Sequence, residues 1–522
     1  MTLNARVRPV ASENLPARSA SAHFGASNAR EFYSWAPSQG SADSDLLPDI
    51  GTLRPRSRDL FRNHGIASGG LQTQIDNILG TGARLSATPD YRALGKDKAW
   101  ADEWSKVVES SWREWSETTA CDVSRQLTLR AMSTQVLRGA LMNGDALALA
   151  MWTPGRGSRF ATCLQVVESD RLSTPNGKID GPNLRGGIET DEYGEPTAYH
   201  IQKAHPGDFY TAGLSGDQWT WERIPAKTPW GRQRVIHVHD KERTGQTRGK
   251  PFLAAVIAQF RMLDHYQRVT LQSAVAQAMI SAFIETPLDA SAVSELLGAD
   301  LADAKVQEYM AAQREMIAPM KGASVMALPP GSQMKPFMPG QPTDQFAPFV
   351  EAVIRHIGVG LNLPYELLLK DFSKTNYSSA RAALLEAWRF FAGRRAWLTD
   401  CWYTPVYRLW LEEAVNGFSP VEAPGFYANR FAYERAKWIW PGRGWIDPVK
   451  EAEASRIRMD ANLSTLQQEC AEQGLDWEEV LEQRAAEVAR MRELGLPEQQ
   501  PLPTGPGRPA QQPQQQEEPI PA

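Results

Sequence analysis

Residues 251–284 read PFLAAVIAQFRMLDHYQRVTLQSAVAQAMISAFI, with no glycine and one proline at the first position. Proline is tolerated there because its missing N–H would be unpaired in any case. A helix of this length spans roughly 50 Å, longer than most globular helices. Pro287–Leu297 breaks the pattern and Ala302–Ala318 resumes it, so the stretch predicts two helices around a short insertion. Next comes Leu328–Pro348, LPPGSQMKPFMPGQPTDQFAP, with six Pro and two Gly before Phe349–Leu361 turns helical again. A proline-rich loop of that length inside a domain is usually functional or disordered.

Residues 370–402, KDFSKTNYSSARAALLEAWRFFAGRRAWLTDCW, open polar and then become periodic. Leu384, Trp388, Phe391, Leu398 and Trp402 fall on one helical face. Ser378 or Ser379 is the expected cap of a helix starting near Ala380. Arg395 falls inside the apolar stripe, where a lone cation would be costly, so it should meet a carboxylate or a subunit boundary.

The remaining chain reads as helices followed by short strands. Residues 1–50 are rich in Ala, Ser, Pro and Asn without periodicity and read as an arm, with short ordered pieces such as Phe32–Trp35. Arg58–Arg84 is a helical segment stopped by Gly80-Thr81-Gly82, and residues 97–142 hold two helices. Asn143-Gly144-Asp145 is a turn, after which 146–152, 163–167, 187–189, 198–201 and 235–238 read as strands. A hairpin-type turn is expected at 191–196. Asp447-Pro448 starts a helix, Gly474 ends the next, and Asp476-Trp477-Glu478-Glu479 starts another as a capping-box pattern. The Glu-rich helix over 478–493 reads as a solvated face. From Pro497 the Pro/Gln-rich tail is disordered by composition. The fold class is therefore α+β, mainly helical.

Composition narrows the function. The 522 residues carry 22% charged and 42% hydrophobic residues, ordinary for a globular protein, and seventeen Trp favour large packed or interfacial surfaces. No apolar run is long enough for a membrane span, and the N-terminus has no apolar signal region. Cys121, Cys163, Cys401 and Cys470 are scattered and fit free thiols. The net charge of −5 lacks the basic excess of a protein that grips DNA phosphates.

His237-x-His239-Asp240 is the one stretch that invites a catalytic or metal reading, because both histidines face one side of a strand. No third or fourth ligand has suitable spacing, so the pair reads as structural and no cofactor is expected. Gly-x-Ser-x-Gly and Walker-type motifs are absent, and neither Cys121 nor Cys401 has an adjacent His.

The string DFSKTNYSSARAALLEAWR, residues 371–389, closely resembles the most characteristic segment of lambda-type portal proteins of tailed bacteriophages. Asp371, Ser373, Lys374, Asn376, Tyr377, Ser378, Arg381, Glu386 and Trp388 carry it. Further blocks are similar: Arg62-Asn63 with Gly80-Thr81-Gly82, the run Asp240–Pro251, Asp447-Pro448 with Lys450-Glu451-Ala452, and Gly474 with Asp476. The resemblance runs over roughly 50–485. It implies a portal-type fold that assembles as a ring, usually of twelve copies, at one capsid vertex. A wing is implied at 51–250, stem helices over 251–320 with a clip at about 285–301, a tunnel-loop region at 321–348, a long helix and crown over 349–485, and a tail at 486–522. The implied partners are the terminase large subunit, capsid and head-tail joining proteins, and double-stranded DNA passing non-specifically, with no membrane. The virion is the implied location, with assembly in the host cytoplasm and no enzymatic activity. Met334, Lys335, Phe337 and Met338 are the candidates for the loop facing DNA. The rival readings are another head-tail connector, a monomeric interaction module, or a metal-dependent nuclease using His237, His239 and Asp240.

Overall fold

The computed structural model describes residues 34, 35, 37, 39–208, 217–279, 283–285, 333–335, 346–373, 375–417, 420–444 and 447–495. In chain order the helices are α1 (Ala42–Asn63), α2 (Gly65–Ile78), α3 (Lys98–Ser116), α4 (Leu129–Asn143), α5 (Ile257–Met279), α6 (Phe346–Gly360) and α7 (Tyr365–Leu369). They continue with α8 (Tyr377–Leu398), α9 (Thr404–Asn416), α10 (Arg430–Tyr433), α11 (Pro448–Asp460), α12 (Leu466–Glu472) and α13 (Trp477–Glu493). The strands are β1 (Arg84–Ala87), β2 (Asp145–Trp152), β3 (Thr162–Val167), β4 (Leu184–Arg185), β5 (Ile188–Thr190), β6 (Pro196–Gln202) and β7 (Trp221–Pro225). They end with β8 (Val235–His239), β9 (Phe283–Glu285), β10 (Gln333–Lys335) and β11 (Ala436–Ile439). This is a mixed α+β fold, mainly helical.

The chain divides into two compact units, each gathered from separated stretches. Unit 1 comprises residues 1–68, 138–149 and 166–361, and unit 2 comprises 69–137, 150–165 and 362–522.

In unit 1, β8 pairs antiparallel with the start of β2, Asp145 opposite His239 and Leu149 opposite Val235. A second antiparallel sheet runs β4-β5-β6-β7. Its β5–β6 turn closes because Asp191 Oδ1 accepts the N–H groups of Tyr193 (3.0 Å) and Glu195 (2.7 Å), as the sequence predicts. α1 packs on α5, and α5 packs on α6 through Tyr266 against Phe346 and Phe349 (ring centroids 5.5 and 4.9 Å).

Unit 2 is built around aromatic rings. Trp112 meets Trp115 and Trp410 at 5.2 Å, Tyr407 at 5.7 Å and Trp438 at 5.9 Å. Tyr403, at the end of a π-helical turn (Thr399–Tyr403) linking α8 to α9, lies 5.0 Å from Trp438. β1 pairs antiparallel with β11, and Trp115 Nε1 donates to Thr162 O at 2.9 Å. Both oxygens of the buried Glu413 accept the backbone N–H groups of Ala161 (2.6 Å) and Thr162 (2.8 Å).

Several expected elements differ. The helix expected to begin near Arg58 starts at Ala42, inside the stretch read as an arm. Pro48 and Pro55 lie within it and mask its periodicity, while the Ser41 cap, Asp43 and Asp45 in the first turn and buried Leu46 and Leu60 hold it. The long helix over 251–284 is instead a 3-10 turn (Phe252–Ala255) followed by α5, and residues 283–285 form β9. β9 pairs with β10 from the proline-rich stretch, Ile284 opposite Met334, so that stretch is not loop throughout. The tail region begins later than residue 486, because α13 continues to Glu493. The helix expected over 302–318 and residues 286–301 of the expected clip lie outside the described residues. The strand-like pieces of 146–238 all form strands, with β4 and β7 added; β1 and β11, in the helical regions, were not anticipated.

Candidate functional site

The segment 371–389 folds as a capped helix start. Asn376 is the cap, not Ser378 or Ser379, and α8 begins at Tyr377. Asn376 Oδ1 accepts from Ser379 N at 2.8 Å and from Ser378 Oγ at 2.9 Å. An Asn amide reaches the third helical N–H as well as Ser does, and here the chain turns helical earlier than the serines imply. Asp371 Oδ1 accepts from Ser373 N at 3.0 Å, after Lys370 adopts a left-handed φ of 58° to end α7. Glu386 pairs with Arg389 on an exposed helix face, and Arg381 is also exposed. Lys374 and the Tyr377 side chain lie outside what is described.

Arg395 resolves differently from expectation. It is 8% exposed, and its partners within the chain are not carboxylates. It donates to three backbone carbonyls: Ile78 O (2.8 Å) and Asn77 O (2.9 Å) at the end of α2, and Pro441 O (2.8 Å). Carbonyls in the last turn of a helix lack intrahelical partners and carry its partial negative charge, so they can substitute for an acid. The guanidinium also stacks on Trp388, 4.5 Å from its ring centroid. Burial lowers its pKa from 12.5 to about 10, and it remains charged at neutral pH.

His237 and His239 stack with ring centroids 4.1 Å apart inside unit 1. They belong to an ion-pair knot centred on Asp145, whose side chain is fully buried. Asp145 Oδ1 accepts from Arg54 (2.8 Å), and Oδ2 accepts from Arg248 Nε (2.6 Å) and lies 3.4 Å from His237 Nε2. Arg54 also donates to Asn143 O and Ser169 O, and Arg248 to Leu172 O, Gly186 O and Ser169 O. Burial alone would raise the Asp145 carboxyl, but Arg248 and Arg54 outweigh it and hold it well below the usual carboxylate range. Burial pushes His237 down, and pushes His239 to about 2, so both imidazoles are neutral. Gly144 and Gly249 let two backbones meet beside the knot: a Cβ on Gly144, at φ +93°, would lie 2.2 Å from Gly249 O.

The knot ties α1, the ends of β2 and β8, and the loop before α5 into one body. Asp145, Arg54 and Arg248 were missed as a group, because separations of 91 and 103 residues leave no sequence signal linking them. Asp145 was read only as part of a turn. Among the described residues no group of three or more His, Cys, Asp or Glu could hold a metal ion. The metal-dependent reading of His237, His239 and Asp240 therefore has no ligand set there.

Of the channel candidates, Met334 and Lys335 lie in β10, opposite Ile284 and Phe283, while Phe337 and Met338 lie outside the described residues. Asp447 caps α11 by accepting from Lys450 N (3.3 Å), and Gly474, at φ +75°, follows α12. Asp476 caps α13 through Glu478 N, but the reciprocal box forms one helix earlier, at Thr465 and Gln468. No residue of α13 is buried; Glu479 meets Arg84 and Arg113, and Glu482 meets Lys106. All four cysteines are free thiols. No helix among the described residues is long and apolar enough to cross a membrane.

This strand–knot–helix body and the 371–389 segment lie within residues 28–395, which match the phage portal protein, lambda family; the chain belongs to that family, a structural component of phage particles. Among its relatives, portal protein B of Escherichia phage lambda is 34% identical over 483 residues, covering 89% of this chain and 88% of that protein. The portal protein of Escherichia phage N15 is 34% identical over 477 residues, 88% of each chain. A probable portal protein of Halomonas phage phiHAP-1 is 25% identical over 466 residues, 88% of this chain and 84% of the other. A chain in the solved virion of a native gene transfer agent particle is 13% identical, with a TM-score of 0.46 over 86% of this chain and 94% of that one.

Proposed function

We propose that the chain assembles as a ring, twelve copies being the family's usual number, at a single capsid vertex, where double-stranded DNA passes during packaging and ejection. The observation that carries this is the match to the lambda family over residues 28–395, with 34% identity across 88% of the lambda portal protein. Its partners in this reading are further copies of itself, the terminase large subunit, and the capsid and head-tail joining proteins. It assembles in the host cytoplasm, resides in the virion, and acts as a conduit without catalysis.

Physical features support the reading. A closed ring needs two different faces on each subunit, repeated by rotation. α5 leaves Met262 (70%), Leu271 (66%) and Val275 (52%) exposed, and α6 leaves Val359 (76%), apolar surface that neighbouring copies would cover. Twelve copies at −5 sum to −60 (12 × −5), which disfavours sticking to phosphates and so suits a conduit. We assign the wing to 51–250, the stem to 251–320 with the clip near 285–301, the tunnel loop to 321–348, and the crown to 349–485. Met334, Lys335, Phe337 and Met338 face the DNA in this assignment. Mass measurement and negative-stain imaging of the purified protein test the ring: rings near twelve times 58.0 kDa support it. A monomer persisting at high concentration overturns it.

A further inference from the structure

The last helix is held on unit 2 mainly by charge. α13 has no buried residue, and from Leu481 to Arg490 every residue is exposed. Its first two turns face α3 and β1 across a cavity of about 430 Å³ instead of a packed apolar seam. Three ion pairs bridge the gap: Glu479 to Arg84 (2.6 Å) and to Arg113 (2.7 Å), and Glu482 to Lys106 (2.7 Å). Exposed pairs of this kind are individually weak and are screened by salt. α13 adds no buried side chain to back them.

The chain just ahead of α13 is fixed. Gly474, at φ +75°, lies so close to a neighbouring loop that a Cβ would stand 2.7 Å from Gly442 N. Leu475 N donates to Cys470 O at 2.9 Å. The helix then starts at once, with Asp476 Oδ1 accepting from Glu478 N at 2.9 Å. Any movement of α13 therefore swings the whole rod about Leu475-Asp476.

One carboxyl sits beneath the clamp. Glu109 of α3 lines the cavity and accepts from Ala87 N of β1 at 2.7 Å. Facing it are Arg113 on its own helix, Asp476 and Glu478 on α13, and Tyr407 on α9. Asp102 and Lys106 share the cavity, and a second cavity that Glu109 also lines adds Arg84, Glu117 and Arg130. Burial, reinforced by Asp476 and Glu478, raises its carboxyl from 4.5 to about 7. Lifting α13 would remove both acids and admit water, so ionisation of Glu109 favours the lifted helix.

We propose that α13 is a hinged arm on unit 2. With Glu109 protonated and salt low, it lies clamped to α3 and β1 through Glu479 and Glu482; ionisation of Glu109 or added salt releases it to swing about Leu475-Asp476.

The test uses the full chain with p-acetylphenylalanine at Thr119 and Ala489, both exposed and outside the clamp, each carrying a ketone-linked nitroxide. Labelled chains are diluted into unlabelled ones, so that dipolar spectroscopy reads only distances within one chain. At pH 6 and low salt the distribution should be narrow, and salt rising to about 1 M, where the screening length is about 3 Å, should broaden it. At the salt concentration that lifts half the arms at pH 7, the clamped-to-lifted ratio should fall about tenfold from pH 6 to pH 8. That factor follows for a carboxyl at about 7 when clamped and at its ordinary 4.5 when lifted. Glu109→Gln should abolish the pH response and keep the salt response, while Glu479→Gln should lower the salt midpoint at either pH. A distribution that salt leaves unchanged overturns the proposal. So does one that salt changes but pH does not, or a pH response of the same size in Glu109→Gln.

Discussion

Replacing Arg395 probes how a charge is held in an apolar stripe without an acid. Its three bonds to carbonyls, at about 1.5–3 kcal/mol each for a charged donor, sum to about 4–9 kcal/mol. Against this stands burial, which lowers its pKa from 12.5 to about 10, a cost of about 3 kcal/mol at 1.36 kcal/mol per pKa unit. The net contribution is about 1–6 kcal/mol, before any gain from stacking on Trp388. Arg395→Leu should therefore destabilise unit 2 by about 1–6 kcal/mol, because leucine fills space but leaves the carbonyls of Asn77, Ile78 and Pro441 facing hydrocarbon. Arg395→Ala should cost about 1 kcal/mol more, since it also opens a cavity beside Trp388. Arg395→Lys, which cannot fork to three acceptors, should fall between leucine and the native residue. Two units need not melt together, so the assay is urea-dependent amide exchange read separately on α2, α8 and β11. A leucine variant within about 0.5 kcal/mol of the native protein would refute the reasoning, since an exposed or idle arginine behaves that way.

Four further outcomes follow from particular residues. His239 has a folded pKa of about 2 against an ordinary 6.5, so the unfolded chain binds more protons as pH falls below about 6.5. Unit 1 should lose up to about 1.4 kcal/mol per pH unit from there downward, with Asp145 adding to the loss only below its unfolded range near pH 4; exchange in β8 at pH 7.5 and 5.5 checks this, and a flat profile contradicts it. Glu109 works the other way: burial raises it from 4.5 to about 7, so its contribution is lost as pH rises through 7, and Glu109→Gln should stabilise unit 2 at pH 8. Asn376→Ala should cost about 1 kcal/mol and fray the first turn of α8, seen as faster exchange at Ser379 and Ala380. Deleting Met334–Gly340 should leave rings intact but reduce packaged or retained DNA; full packaging by the deletion variant would place the constriction elsewhere.

Much of the local structure is legible from residues close in sequence. Asp447-Pro448 starts α11, Gly474 follows α12, and the alternating runs of 146–238 form strands, because caps, turns and periodicity act over a few residues. The string 371–389 and the blocks around it were sufficient to reach the family. What the sequence alone could not reach are choices made across long separations. Arg395 lies 317 residues from Ile78, and a stripe with a cation in it does not say whether an acid or a helix end will meet it. Asp145 reads as a turn residue until Arg54 and Arg248 converge on it, and the structural reading of His237 and His239 names no partner until Asp145 meets His237 there. The helix expected through 284 ends earlier, and residues 283–285 pair instead with β10, a partner too far along the chain for local periodicity to show. Pro48 and Pro55 argue against a helix locally, yet α1 persists because burial of Leu46 and Leu60 and the Arg54 bonds outweigh the backbone penalty. Local rules set where elements can begin and end; burial, which rewards contacts regardless of separation, decides which buried charges meet.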